Sequence, residues 1–286
     1  MRFLKPGTVA EACALKTEYP DALVIAGGTD VMVEVNFGRA DPSVMLDLTG
    51  IGELAEWHAS GDDVHIGAGL TYSRIVAELG DALPALASAS RTVGSVQIRN
   101  RATLAGNLGT ASPAGDALPP LLAADATVEL VSSRGARTVS ATEFCVAPGR
   151  SVLQRDELIA GVRIARRRGP QHFAKVGPRN AMVIAVASIA TTMDPANRTV
   201  AVGCGAVAPT PVRARAAEEF AAAALDWDGE AALPRGTAAE FGALVADACS
   251  PIDDVRSGAR YRKRAIEVLA DRALRRMWDE HLRRVA

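Results

Sequence analysis

What this 286-residue sequence has little of narrows its function first. Aromatic residues make up only 4% of the chain, and 32 basic residues stand against 33 acidic ones for a net charge of −1. A protein that tracks phosphates or stacks unpaired bases needs a basic groove or an aromatic platform, so no nucleic-acid partner is expected. The four cysteines, Cys13, Cys145, Cys204 and Cys249, are too scattered for a zinc or iron–sulfur pattern and give no disulfide framework. They read as reduced thiols of a cytoplasmic protein. No apolar run reaches the ~18 residues that span a bilayer, and the N-terminus lacks a leader's apolar core and cleavage site. No direct membrane insertion is therefore expected. Also missing are a Gly-x-Ser-x-Gly elbow, a Walker loop and a His-Glu-x-x-His pair, which leaves hydrolysis and metal catalysis without their constellations. No catalytic side chain and no metal ligand are assigned.

What is present is 49% hydrophobic content, over a length that favours two domains. Thr8 with Glu11 forms a capping-box signature opening a helix over 8–19. LVIAGG (23–28) reads as a buried strand entering a glycine turn, VMLDLTG (44–50) as another strand, and 63–80 as strand, turn and helix. A helix is expected near 81–90, a hairpin over TVELVSSRGARTV with Arg134-Gly135 at its turn, and a strand from residue 158. After a boundary near 168–171, the runs HFAKVG, AMVIAVASIATTM and TVAVGCGAVAPTPV are strand-like, and helices follow near 211–225 and 237–250. A last helix, about 260–279, places Ile266, Leu269, Ala273, Leu274 and Met277 on one apolar face.

Two loops carry the candidate chemistry. In AGGTDVMV (26–33), Gly27, Gly28, Thr29 and Asp30 follow a hydrophobic strand, where bare N–H groups and a hydroxyl can form an anion nest suited to a pyrophosphate. The plain alternative is a strand-to-helix turn with Asp30 as its cap. In AGNLGTASPAGDALPP (105–120), Gly and Pro oppose regular structure and imply a shaped loop. Thr103, Asn107, Thr110, Ser112 and Asp116 offer donors and acceptors there, and Gly106 and Gly109 admit close backbone approach. Ligand binding and turn chemistry both fit this composition.

Four stretches, AGGTD (26–30), TVGSVQIRNRATLAGNLGTASPAGDALP (92–119), KVGPRNAMVIAVAS (175–188) and DDVRSGARYRKRAIEVLADRAL (253–274), occur in an order and at spacings that resemble the FAD-binding medium subunit of molybdenum hydroxylases. This is the family of carbon monoxide dehydrogenase and bacterial xanthine dehydrogenases. The resemblance implies an α+β fold. An FAD-binding domain of the vanillyl-alcohol-oxidase type would occupy 1–170, as subdomains of about 1–58 and 59–170, and a small α+β domain with an antiparallel sheet would occupy 171–286. It also implies cofactor contacts from Ala26, Gly27, Gly28, Thr29, Asp30, Val31 and Met32 around the pyrophosphate, and from Thr103, Gly106, Asn107, Thr110 and Asp116 in the second loop. Thr103 stands where relatives often have serine, and Gly109 where some have a bulkier apolar residue near the flavin ring.

By the same resemblance Ile159 or Ala160 approaches the ring, and Lys175 contacts the flavin, where a cation stabilises negative charge on reduction. On sequence alone Lys175 is a surface lysine at a strand end. Arg179 and Asn180 are candidates for orienting the domain interface, and Arg99 and Arg101 for a phosphate or partner contact. The resemblance further implies a large subunit with molybdenum cofactor, a small subunit with two [2Fe-2S] clusters feeding electrons to FAD in this chain, and a dimer of such heterotrimers. NAD, quinone or oxygen would be the acceptor. Two other classes stay in view: a self-sufficient flavin dehydrogenase, which would need a catalytic His or Tyr at the flavin, and a scaffold that no longer binds FAD. His58, His65, His172 and His281 lie outside the matched cofactor segments and read as structural or surface residues.

Overall fold

In the computed structural model, residues 1–229 and 231–285 are described. The chain opens with β1 (Arg2–Leu4), α1 (Val9–Glu18), β2 (Leu23–Ile25), α2 (Val31–Asn36) and β3 (Val44–Asp47), whose strands form a parallel sheet in the order β1-β3-β2. Thr8 Oγ1 accepts the Glu11 N–H at 3.1 Å, as a capping box requires. The Glu11 carboxylate reaches one residue further back than the motif specifies, to the Gly7 N–H at 2.8 Å.

The next block runs β4 (Trp57–Ser60), β5 (Asp63–Gly67), α3 (Tyr72–Glu78), α4 (Pro84–Arg91), α5 (Val96–Arg99), α6 (Leu104–Thr110), α7 (Leu118–Ala123), β6 (Thr127–Ser132), β7 (Gly135–Ser140), α8 (Ala141–Phe144), β8 (Cys145–Ala147), β9 (Arg150–Ser151) and β10 (Leu158–Ala165). Five strands make an antiparallel sheet, β4-β5-β10-β6-β7. The hairpin is where the sequence puts it, but its turn residues are Ser133 and Arg134; Gly135, at φ +128°, pairs with Ser132 and already belongs to the returning strand.

The last block is a four-stranded antiparallel sheet, β11 (Gln171–Val176), β12 (Ala187–Asp194), β13 (Thr199–Gly205) and β14 (Val212–Arg213), covered by α9 (Arg215–Ala224), α10 (Thr237–Asp247) and α11 (Ala259–Val285). The apolar run from Ala181 becomes strand only at Ala187. Residues 177–186 form a loop in which Met182 takes φ +48°, a conformation that a ladder strand cannot contain. Helix α11 is longer than its periodicity suggests, and it buries Ile266, Ala270, Leu274, Met277 and Trp278. Ala270 and Trp278 join the expected face, while Leu269 and Ala273 are only half-buried at its edge. No helix among the described residues is long and apolar enough to cross a membrane.

Two cores result, one built from residues between Ala12 and Ile164 and one from residues between Ala187 and Trp278. Helix α7 joins them. Pro119 and Pro120 sit in its first turn, where a missing N–H is tolerated. A Cβ at Gly203 of β13 would lie 2.9 Å from the Pro119 carbonyl carbon, so only glycine lets that strand rest on the helix backbone.

Candidate cofactor site

The first loop leaves β2 and turns at Gly28, which has φ +74°, a conformation that favours glycine. The N–H groups of Gly27, Gly28, Thr29, Asp30 and Val31 find no acceptor among the described residues. All but Asp30 are partly exposed, and Asp30 is open to solvent. Five consecutive unpaired donors, followed by the start of α2, are what an anionic group needs. Ala26 and Met32 flank the row, and the Met32 N–H is already taken by the Gly28 carbonyl. Asp30 occupies the cap position of α2 without making a capping bond. Its Oδ2 instead accepts from Thr110 Oγ1 of α6 at 3.0 Å.

That hydrogen bond ties the first loop to the segment expected as the second, which is not one shaped loop: capped by Thr103, residues 104–110 form α6 in spite of two glycines, α7 starts at Leu118 with its prolines in the first turn, and only 111–117 is loop. The two segments also touch through backbone: a Cβ at Gly27 would lie 2.5 Å from the Arg101 carbonyl carbon and 2.9 Å from Ala102 Cα. Thr103 is buried and caps α6, with Oγ1 accepting the Gly106 N–H at 3.0 Å. From this helix Gly106 and Gly109 reach the surface, with Thr110 half-exposed beside them. Ile159 lies under this face, its Cδ1 4.0 Å from where a Gly109 Cβ would stand. Ala160 occupies the bulge of β10, skipped in the pairing with β6, and its carbonyl accepts from Ala68. The result is a cleft wall of glycine backbone, bare N–H donors and two hydroxyls.

Asp116 and Lys175 form a second cluster, brought together across 59 residues. Lys175 Nζ, on β11, donates to Asp116 Oδ2 at 2.6 Å, to the Thr92 carbonyl at 3.0 Å and to the Val183 carbonyl at 3.1 Å. Thr92 Oγ1 also donates to Asp116 Oδ2 at 3.1 Å. Lys175 is therefore neither a surface lysine nor a loose cation; its three protons are committed. Burial raises the Asp116 pKa above the usual carboxylate value, against the opposing pull of Lys175 and Thr92. Among the described residues Asp116 Oδ1 has no donor, and neither does the buried Asn107 Oδ1, whose amide packs over Gly115. The Tyr72 hydroxyl is also buried without a partner, and burial followed by the Asp116 charge raises its pKa. Both acceptors are closed off from solvent, and an N–H or O–H group that reached them would satisfy them.

Thr92, Val183 and Gly115 were not singled out by the sequence, since a main-chain carbonyl that binds lysine and a glycine that makes room for an amide leave no local signature. Arg179 clasps its own loop through the carbonyls of Ala181 and Met182, at 3.0 and 3.1 Å from Nε. With Lys175, Asn180 and Phe173 it lines a cavity of about 270 Å³. Arg99 is used internally, on the carbonyls of Val93 and Gly94. Arg101 contributes its backbone to the Gly27 contact. His65 pairs with Glu129 at 2.9 Å and stacks on His58, while His172 and His281 lie in the C-terminal block. Among the described residues, no group of three His, Cys, Asp or Glu side chains is placed to hold a metal ion.

Comparison with known proteins agrees with this architecture over its whole length. A family model described as the FAD binding domain in molybdopterin dehydrogenase matches residues 1–166, and one described as the CO dehydrogenase flavoprotein C-terminal domain matches residues 172–277. The nicotine 6-hydroxylase medium subunit of Paenarthrobacter nicotinovorans is 30% identical over 280 residues, covering 96% of each chain. The carbon monoxide dehydrogenase medium chain of Afipia carboxidovorans is 29% identical over 283 residues, or 95% of this chain and 94% of that one. The solved carbon monoxide dehydrogenase of Hydrogenophaga pseudoflava aligns with a TM-score of 0.89 at 26% identity, covering 98% of each chain. The chain belongs to the FAD-binding medium-subunit family of molybdenum hydroxylases, the electron-transfer flavoproteins of the carbon monoxide dehydrogenase and xanthine dehydrogenase type.

Proposed function

We propose that this chain holds one FAD with its pyrophosphate on the Gly27–Val31 row, and relays electrons from the [2Fe-2S] clusters of a small partner subunit to NAD, quinone or oxygen. A large subunit with molybdenum cofactor would carry out the substrate oxidation, in a cytoplasmic dimer of heterotrimers. Residues 1–170 then form the FAD domain, of the vanillyl-alcohol-oxidase type in two subdomains, and 171–286 the C-terminal domain. One observation carries the reading: five successive N–H groups without acceptors among the described residues, bound to α6 through Asp30 and Thr110.

When bound, FAD supplies the chemistry, taking electrons singly and giving them up as a pair. The chain's own residues do the positioning. Gly27 to Val31 direct N–H donors at the diphosphate, and Gly106 and Gly109 let α6 approach the cofactor with no side chain between. Asn107 and Asp116 offer their free oxygens to its donors. Ile159 supplies an apolar surface, with Ala160 beside it. Lys175 holds its charge next to Asp116, so the pair presents a fixed dipole in a buried setting where such fields act strongly.

The test is a visible absorption spectrum of the natively purified protein, together with identification of the subunits that accompany it. Flavin bands near ~370 and ~450 nm with molybdenum and iron–sulfur subunits present are the expected result. Flavin with turnover of a small substrate by the isolated chain would favour a self-sufficient dehydrogenase. A folded chain that cannot be reconstituted with FAD would make it a scaffold.

A further inference from the structure

The end of β13 carries a conformation that alanine rarely takes. Ala206 is buried at φ +62°, in the left-handed region where a Cβ crowds the carbonyl that follows it. Such a residue persists only where its surroundings over-determine it, and here both of its backbone groups are held. The Ala206 N–H donates to the Pro113 carbonyl at 2.7 Å, in the 111–117 turn between α6 and α7. The Ala206 carbonyl accepts from Arg262 Nη1 at 2.8 Å.

Arg262 lies in the first turn of α11 and is only 3% exposed. Its Nη2 donates to Asp254 Oδ1, which also accepts the N–H groups of Arg256 and Ser257 at 2.8 and 3.3 Å. A buried guanidinium needs a carboxylate partner, and Asp254 accounts for that need. It does not account for the arm that reaches Ala206, 56 residues earlier in the chain. The effect of that arm is to hold, from the C-terminal block, the turn that precedes α7. Pro113 stands three residues before Asp116, and within the same turn lies Gly115, over which the Asn107 amide packs. The start of the turn is tied separately, where the Ala111 carbonyl accepts the Gly149 N–H at 3.0 Å.

We propose that Arg262 is a positioning residue for the flavin: through the Ala206 backbone it fixes the 111–117 turn, and with it the Asn107 and Asp116 side chains, in the arrangement the cofactor binds. This rests on the reading of the chain as an FAD carrier. Arg262 acts through Ala206 and Pro113, not by contact with the cofactor. Without its guanidinium the Ala206 carbonyl loses its donor, the alanine relaxes to a negative φ, and its N–H turns away from Pro113. A glycine at 206 adopts φ +62° without steric conflict and keeps that N–H in place unaided. This difference separates positioning from general support of the core.

The experiment measures FAD affinity of the full chain by flavin-fluorescence titration of the apoprotein, and the midpoint potential of the flavin-loaded chain against reference dyes, below the melting range. Arg262→Met should raise the FAD dissociation constant by roughly tenfold and shift the potential. Adding Ala206→Gly to Arg262→Met should reverse most of both changes, without fully restoring the melting temperature lost with the Asp254 pair. Asp254→Asn, which removes the charge partner and keeps the Ala206 bond, should leave FAD affinity unchanged; a loss equal to that of Arg262→Met would overturn the proposal. If Arg262→Met does not fold, Arg262→Lys keeps the charge but not the two-armed fork, and should show the same loss and the same rescue in smaller measure. Unchanged affinity and potential in a folded Arg262 variant, or a loss that Ala206→Gly does not reverse, would overturn the positioning role and leave the FAD reading intact. A folded wild-type chain that binds no FAD would overturn both.

Discussion

Gly27→Ala tests the contact on which the cofactor cleft depends. The added Cβ would stand 2.5 Å from the Arg101 carbonyl carbon and 2.9 Å from Ala102 Cα, both backbone atoms that no rotamer change can move. An ordinary contact requires the two segments to separate by roughly 1 Å, and overpacking of this kind costs about 1–3 kcal/mol. If FAD needs the native spacing between the N–H row and α6, binding it restores the clash and the penalty falls on affinity. Since each 1.4 kcal/mol is tenfold, the dissociation constant should rise by roughly 5- to 150-fold. Flavin-fluorescence titration of the apoprotein measures this, and a melting curve separates it from global loss of structure. Gly28→Ala is the comparison. Its Cβ would meet only flexible side chains, Ile25 Cδ1 at 3.3 Å and Met32 Cγ at 3.5 Å, and its penalty comes from φ +74°. An FAD affinity for Gly27→Ala within twofold of wild type, in a folded protein, would refute the proposed placement of the cofactor between these segments.

Two further outcomes are expected. Asp116→Asn or Lys175→Met should each destabilise the fold by about 3–5 kcal/mol in urea unfolding, because either leaves a buried charge or donor set unpaired; the double replacement should lose less than the sum. Additive losses would mean that the pair does not act as a unit. Glu157 accepts from Arg137 at 2.6 and 2.8 Å and from the Gln154 N–H at 2.9 Å. Arg137 first, and then that N–H, hold its pKa below the usual glutamate value against the opposing effect of burial. Stability from this depressed group is present above the unfolded value near ~4.3 and is lost as pH falls through the lower folded value. Melting temperature measured from pH 7 to pH 3 should fall less steeply for Glu157→Gln, and an unchanged acid limb would remove Glu157 from the account.

Much of the local architecture is legible in the sequence because its causes are local. Thr8 caps α1, the Leu23–Ile25 run makes β2, and alternation reveals the β6–β7 hairpin, although its turn falls on Ser133 and Arg134, one residue before the expected Arg134-Gly135. The first polar loop and the family likewise follow from residue types at fixed spacings, whereas 105–120, expected as one loop, folds mostly as α6 and α7 around a short turn at 111–117. Where boundaries shift, a neighbouring contact is responsible: 177–186 stays out of the ladder with Val183 turned to Lys175, and Ala270 and Trp278 are buried because α10 and the C-terminal core lie against that side of α11.

By itself, then, the sequence determined which segments turn, which carry bare backbone and which bury an apolar face, since each depends on a residue and its near neighbours. Only the tertiary structure decided that Gly27 rests on the backbone of Arg101, that Asp30 reaches Thr110, and that Lys175 spends all three protons on Asp116, Thr92 and Val183. Those contacts join residues separated by up to 83 positions. Periodicity records which face is buried, but the partner on that face is selected by how sheets and helices pack.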